Sequence, residues 1–135
     1  MKQLIRWMLI VSMLLSICGC TQHAADITAE DIVVAYEAAG YRVSSKLYDE
    51  TLEHGQIGYV QADHPDGDYI YFAIFENEKA AKAYKKEFYH PAMLGLFSAI
   101  FGDPSWQRWE VYGSFVVQYD HPKFMKPFKD LLRSK

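Results

Sequence analysis

Cysteine is nearly missing from this chain. Of its 135 residues only Cys18 and Cys20 carry a thiol, and none follows position 20. Residues 21–135 therefore have no disulfide, no thiolate metal site and no cysteine nucleophile. A basic excess is missing too: 14 Lys and Arg stand against 17 Asp and Glu, for a formal charge of −3, which argues against a nucleic-acid binder. Long apolar runs are absent. The longest, Trp7–Ile17, is about a dozen residues, short of the ~20 that cross a bilayer. The usual signatures of catalysis do not occur either: no Gly-x-Ser-x-Gly elbow, His-Glu-x-x-His pair, phosphate-cradling glycine loop or dinucleotide fingerprint. The expectation is a protein that is not an enzyme and implies no cofactor. Aromatics, by contrast, are plentiful, with ten Tyr, eight Phe and three Trp, enough bulk to fill the core of one globular domain.

The N-terminus has the layout of an export signal: Lys2 and Arg6, no acid, then the short apolar run. Next comes Ile17-Cys18-Gly19-Cys20. This tetrapeptide resembles the lipobox of bacterial lipoproteins, with Cys18 where Ala or Ser is commoner. The resemblance implies cleavage before Cys20, a diacylglycerol on its sulfur, and residence on the extracytoplasmic face of the cell membrane. Residues 1–19 are then the signal peptide, 20–27 the lipidated cysteine and a polar tether, and 28–135 the folded domain. Loss of Lys2 and Arg6 moves the net charge from −3 to about −5. Two acyl chains anchor a protein stably where one does so only marginally. In size and layout the remainder resembles small exported lipoproteins of bacteria, a likeness that assigns no functional residue.

Periodicity and punctuation divide residues 28–135 into nine elements. Thr28 is a helix N-cap, with Asp31 as a near capping box and Ile27 and Ile32 as a hydrophobic staple. That helix carries Ile32, Val33, Tyr36 and Ala39 on one face and closes at Gly40. Strands are expected over Tyr41–Tyr48, Gln56–Ala62 and Asp68–Phe75, the last two joined at Asp66-Gly67. Both alternating faces of Tyr69–Phe75 are apolar, which marks a central strand covered on both sides. Asn77 caps a second helix, Glu78–Tyr89, with Ala80, Ala81, Tyr84 and Phe88 inward. Pro91 starts a third that ends before Gly102. Trp106–Tyr112 and Ser114–Asp120 are two further strands turning at Gly113, and Pro122–Arg133 is a last helix around Pro127. The order α-β-β-β-α-α-β-β-α specifies an α+β domain, with helices on an antiparallel or mixed sheet of about five strands.

Two features stand out as candidate sites. Asp63-His64-Pro65 recurs 57 positions on as Asp120-His121-Pro122. Carboxylate with imidazole suits divalent metals, so Asp63, His64, Asp120 and His121 form a metal or small-ligand site if their strands are parallel neighbours in register. Otherwise Asp and Pro shape turns and the histidines are solvated. The stretch Pro91–Phe101 has no charge and is apolar on every side of a helix. It is either a buried core helix or an exposed interaction surface formed by Met93, Leu96, Phe97, Ile100 and Phe101. The expected function is a non-enzymatic binding module. Its partners are the membrane, through Cys20, and a protein at that surface, with no nucleic acid. The basic series Lys123, Lys126, Lys129, Arg133 and Lys135 adds either a headgroup-facing stripe or a solvated helix face.

Overall fold

The computed structural model describes residues 26–90, Ile100 and 108–135. The segment expected to direct export, with Cys20, all of the helix expected from Pro91 except Ile100, and Trp106 lie outside the described residues. Helix α1 (Ala29–Ala38) begins on a capping box. Thr28 Oγ1 accepts from Asp31 N–H at 3.2 Å, and Asp31 Oδ2 accepts from Thr28 N–H at 2.9 Å. Ile27 and Ile32 are both buried, as the staple requires. Gly40, at φ +87°, turns the chain out of the helix and into strand β1 (Arg42–Leu47). A 3-10 turn (Glu53–Gly55) precedes β2 (Gln56–Asp63), which is followed by β3 (Tyr69–Phe75). Gly67 takes φ +97° between them, the left-handed conformation that an Asp-Gly turn supplies at low cost.

Helix α2 (Glu78–Phe88) starts where the Asn77 side chain accepts from Ala80 N–H at 2.9 Å. Strands β4 (Arg108–Tyr112) and β5 (Phe115–Tyr119) form a hairpin, and a 3-10 turn (Pro122–Met125) leads into helix α3 (Lys126–Ser134). Pro127 falls in the first turn of α3, where its missing N–H has no partner to lose. The sheet order is β1-β2-β3-β5-β4 with every neighbour antiparallel. An α+β domain on a five-stranded antiparallel sheet results, with β3 at its centre as its two apolar faces demanded.

One face of the sheet carries Val60, Ala62, Ile70, Phe72, Ile74, Phe115, Val117 and Tyr119, and packs against Ile32 and Tyr36 of α1 and Phe128 and Leu132 of α3. Burial of each large apolar side chain stabilises the fold by about 1.5–3 kcal/mol. The other face carries Ala73, Phe75 and Val116 under Ala81 and Tyr84 of α2. Phe88 was expected inward and is instead 44% exposed. It lies in the last turn of α2 and leans on His54 and Tyr84, with ring centroids 4.9 and 4.7 Å away. Ala39 is likewise exposed, being the C-cap of α1 rather than part of its buried face.

Candidate functional site

Strands β2 and β5 both run antiparallel to β3 and flank it, so they are parallel to each other with one strand between them. Their exits, Asp63-His64-Pro65 and Asp120-His121-Pro122, therefore emerge at the same end of the sheet. They are not the direct neighbours that the metal reading assumed. Two strand spacings, roughly 10 Å, separate the backbones, and Tyr69 pairs with Asp63 in the intervening position. Among the described residues no three His, Cys, Asp or Glu side chains come together as a metal cluster.

What the two histidines do share is an aromatic neighbour. His64 and His121 lie 5.5 and 6.4 Å from the ring of Phe124, and Tyr41 stands edge-on to His64 at 5.1 Å. Phe124 itself is fully buried. The imidazoles thus close the core where it meets solvent at the sheet end. Each also repeats one local hydrogen bond. His121 Nδ1 accepts from Lys123 N–H at 3.1 Å, and His64 Nδ1 lies 3.2 Å from Asp66 N–H. The Asp66 carboxylate stands at the same 3.2 Å from His64 Nδ1. A neutral imidazole accepting at Nδ1 carries its proton on Nε2, the reverse of a ring prepared to donate Nε2 to a metal. The echo in sequence is a repeated way of ending a strand.

An open depression of about 520 Å³ lies beside the first motif, lined by Gly40, Arg42, Asp63, His64, Pro65 and Gly67. The Arg42 guanidinium is 3.9 Å from the Asp63 carboxylate and 88% exposed. Asp63 Oδ1 also accepts from Gln61 at 2.8 Å. A guanidinium, a carboxylate and an imidazole on one rim can match a small polar molecule that both donates and accepts. Arg42 escaped the sequence reading because it joins Asp63 only through the β1–β2 register.

A second polar cluster was also missed. Glu110 on β4 accepts hydrogen bonds from the hydroxyls of Tyr112 and Tyr119. Burial pulls the carboxyl of Glu110 upward, but the two phenol donors and the charges of Lys129 and Lys85 outweigh it, and its pKa falls below the ordinary value. The Tyr119 phenol is pushed up to about 12 by burial and by that carboxylate. The available signal was parity: Glu110 and Tyr112 sit two apart on one strand face.

Of the expected interaction surface, Ile100 is described, helical and 63% exposed. Met93, Leu96, Phe97 and Phe101 lie outside the described residues, as does Cys20. The C-terminal basic series is partly neutralised: Lys126 and Arg133 both pair with Asp130, and Lys135 lies 3.4 Å from Asp31. The chain matches no protein-family model, and no curated protein or solved structure matches it.

Proposed function

We propose that this protein is a lipid-anchored, extracytoplasmic binding module rather than an enzyme. The tetrapeptide Ile17-Cys18-Gly19-Cys20, with its resemblance to a lipobox, carries the reading. Ile27, the first core residue, follows Cys20 by seven positions, a reach of at most ~25 Å at 3.3–3.6 Å per residue. A domain held on that tether stays within that reach of the bilayer. The end of α1 at Gly40 adjoins the depression. The exposure of Ile100 supports a contact for a protein partner within the apolar stretch 91–101.

The anchor is tested by metabolic labelling with a fatty-acid analogue and by membrane fractionation of the full chain. Cys20→Ser is expected to abolish both label and membrane retention while Cys18→Ser leaves them intact; label persisting in Cys20→Ser defeats the anchor. Binding is tested by crosslinking in cells: Ile100→Asp should remove a partner captured by the wild type without changing the melting temperature, and capture of nothing by the wild type counts against a protein partner. The depression at Arg42, Asp63 and His64 favours a second reading, a small polar ligand. A ligand at 100 times its dissociation constant adds about 2.7 kcal/mol. A thermal-melt panel of polar metabolites and divalent ions should then show an upward shift that His64→Ala removes, and a flat panel rejects it.

A further inference from the structure

A second concavity lies away from the sheet end, between α2 and the edge strand β4. It has a volume of about 580 Å³ and is lined by Lys82, Lys85, Lys86, Tyr89 and Val111. Three ammonium groups in one cleft repel each other unless acids or a ligand offset them. Lys82 is matched by Glu78 one turn earlier. Lys85 and Lys86 form no ion pair with a described residue, and Lys85 is only partly exposed. Its Nζ stands 5.5 Å from the centroid of the Tyr89 ring. That ring is held in turn: Trp109 stacks on Tyr89 at 5.7 Å, and Tyr84 stacks on Trp109 at 5.9 Å with only 6° between planes. The cleft therefore combines Lys86, Lys85 whose charge is felt by the Glu110 carboxylate without a direct ion pair, a stacked aromatic wall and the apolar Val111.

A doubly charged group matches two ammoniums better than a single carboxylate does, and lysine serves phosphate as a point charge. A ring carrying that phosphate gains by lying along the tyrosine wall and Val111. We propose that the α2–β4 cleft is a binding site for a sugar phosphate, with Lys85 and Lys86 on the phosphoryl oxygens and Tyr89 against the sugar ring. Helix-end lysines also stabilise a helix through its dipole, but that role needs neither the cleft nor the stacked wall. The proposal deepens the binding-module reading by naming a ligand class, and it stands independently of lipidation at Cys20.

The test uses the full chain in detergent micelles, titrated calorimetrically with glucose 6-phosphate, inorganic phosphate and glucose. Saturable binding of glucose 6-phosphate is expected, at least about tenfold tighter than inorganic phosphate, with no binding of glucose. The Lys85→Gln/Lys86→Gln double variant should lose about tenfold or more at an unchanged melting temperature. Tyr89→Ala should narrow the gap between the sugar phosphate and inorganic phosphate. A parallel arm uses vesicles containing a phosphatidylinositol monophosphate, whose ring carries a phosphate monoester, or phosphatidylcholine alone. Binding only to the inositol lipid, lost in the double variant, identifies a headgroup as the source; binding of free glucose 6-phosphate identifies a soluble ligand. No saturable binding in either arm overturns the proposal, and so does binding that the double variant leaves unchanged. Because this readout is ligand binding and the anchor's is fatty-acid labelling, either idea can fail alone.

Discussion

The two faces of the sheet are built for different work. Toward α1 and α3, Val60, Ile70, Phe72 and Val117 have no exposed surface at all. Toward α2 the cover is partial among the described residues, because α2 packs on β3, β5 and β4 and no described helix overlies the β1–β2 half on that side. There the side chains cover one another. Tyr59 stacks on Tyr71 with centroids 5.6 Å apart, Tyr48 lies 6.3 Å from Tyr59, and Lys46 Nζ is 5.9 Å from the Tyr48 ring. A sealed face concentrates the folding energy on one side. The other side is left free to carry polar and aromatic groups at the surface, and the lysine-lined cleft opens there.

The largest expected effect tests that division within one strand. Phe72 and Tyr71 are adjacent on β3 and point to opposite faces. Phe72→Ala should cost about 3–5 kcal/mol, since it empties a site between α1, α3 and the sheet. Tyr71→Ala should cost about 1 kcal/mol or less, comparable to a cross-strand pair. Urea unfolding of the two variants, read as midpoint at constant slope, checks the contrast. Equal losses would mean that both faces contribute alike.

A smaller effect belongs to the sealed face alone. Tyr36 is fully buried, and its hydroxyl donates to the Phe124 carbonyl at 2.7 Å across 88 residues of sequence. This bond ties α1 to the 3-10 turn that carries the imidazole-capped sheet end. Tyr36→Phe keeps the ring and strands the carbonyl, at about 1–2 kcal/mol. Amide exchange at Phe124 and Met125 should accelerate by more than global stability predicts. Exchange that follows only the global change would show that the bond holds no local structure.

Much of this architecture could be read from the chain because its signals are local. Thr28, Asp31, Gly40, Asn77 and Gly67 act within a few residues of themselves, and Tyr69–Phe75 announces its central place by apolar residues on both faces. The sites were less legible because they depend on register. Asp63 meets Arg42 only through the β1–β2 ladder, and Glu110 meets Tyr119 only across β4–β5. The twin Asp-His-Pro motifs show the opposite hazard. Their residue types suit a metal, yet β3 lies between the strands that carry them, and strand order is not written in any motif. Phe88 deceived in a third way: helical spacing gives the face a residue lies on, not whether the helix still overlies the sheet at that turn.

The smallest predicted effect lies where the sealed face reaches its margin, at edge strand β4. In the folded chain the Glu110 carboxyl sits below its ordinary value of 4.5, to which it returns in the unfolded chain. A depressed pKa contributes stability that is present above the unfolded value and lost as pH falls through the folded one. Tyr119 has the opposite sign: its phenol is raised from 10.0 to about 12. Its contribution is complete below pH 10 and lost as pH climbs toward about 12. Glu110→Gln removes the charge and keeps one carbonyl acceptor in place of the two carboxylate oxygens to which Tyr112 and Tyr119 separately donate. Since the group is partly solvated, the loss at pH 7 should be under about 1 kcal/mol. Asp31 and Asp130 are also held below the ordinary aspartate value of 3.8 and share the acid limb, so the diagnostic quantity is the difference between variant and wild type. That difference in urea midpoint should be greatest near neutrality and shrink as pH falls below 4.5. On the alkaline side the variant should decline less between pH 10 and 12, because the carboxylate no longer opposes ionisation of Tyr119. Parallel curves for the two proteins at both ends would show that the margin of the sealed face is held by packing and not by this carboxylate.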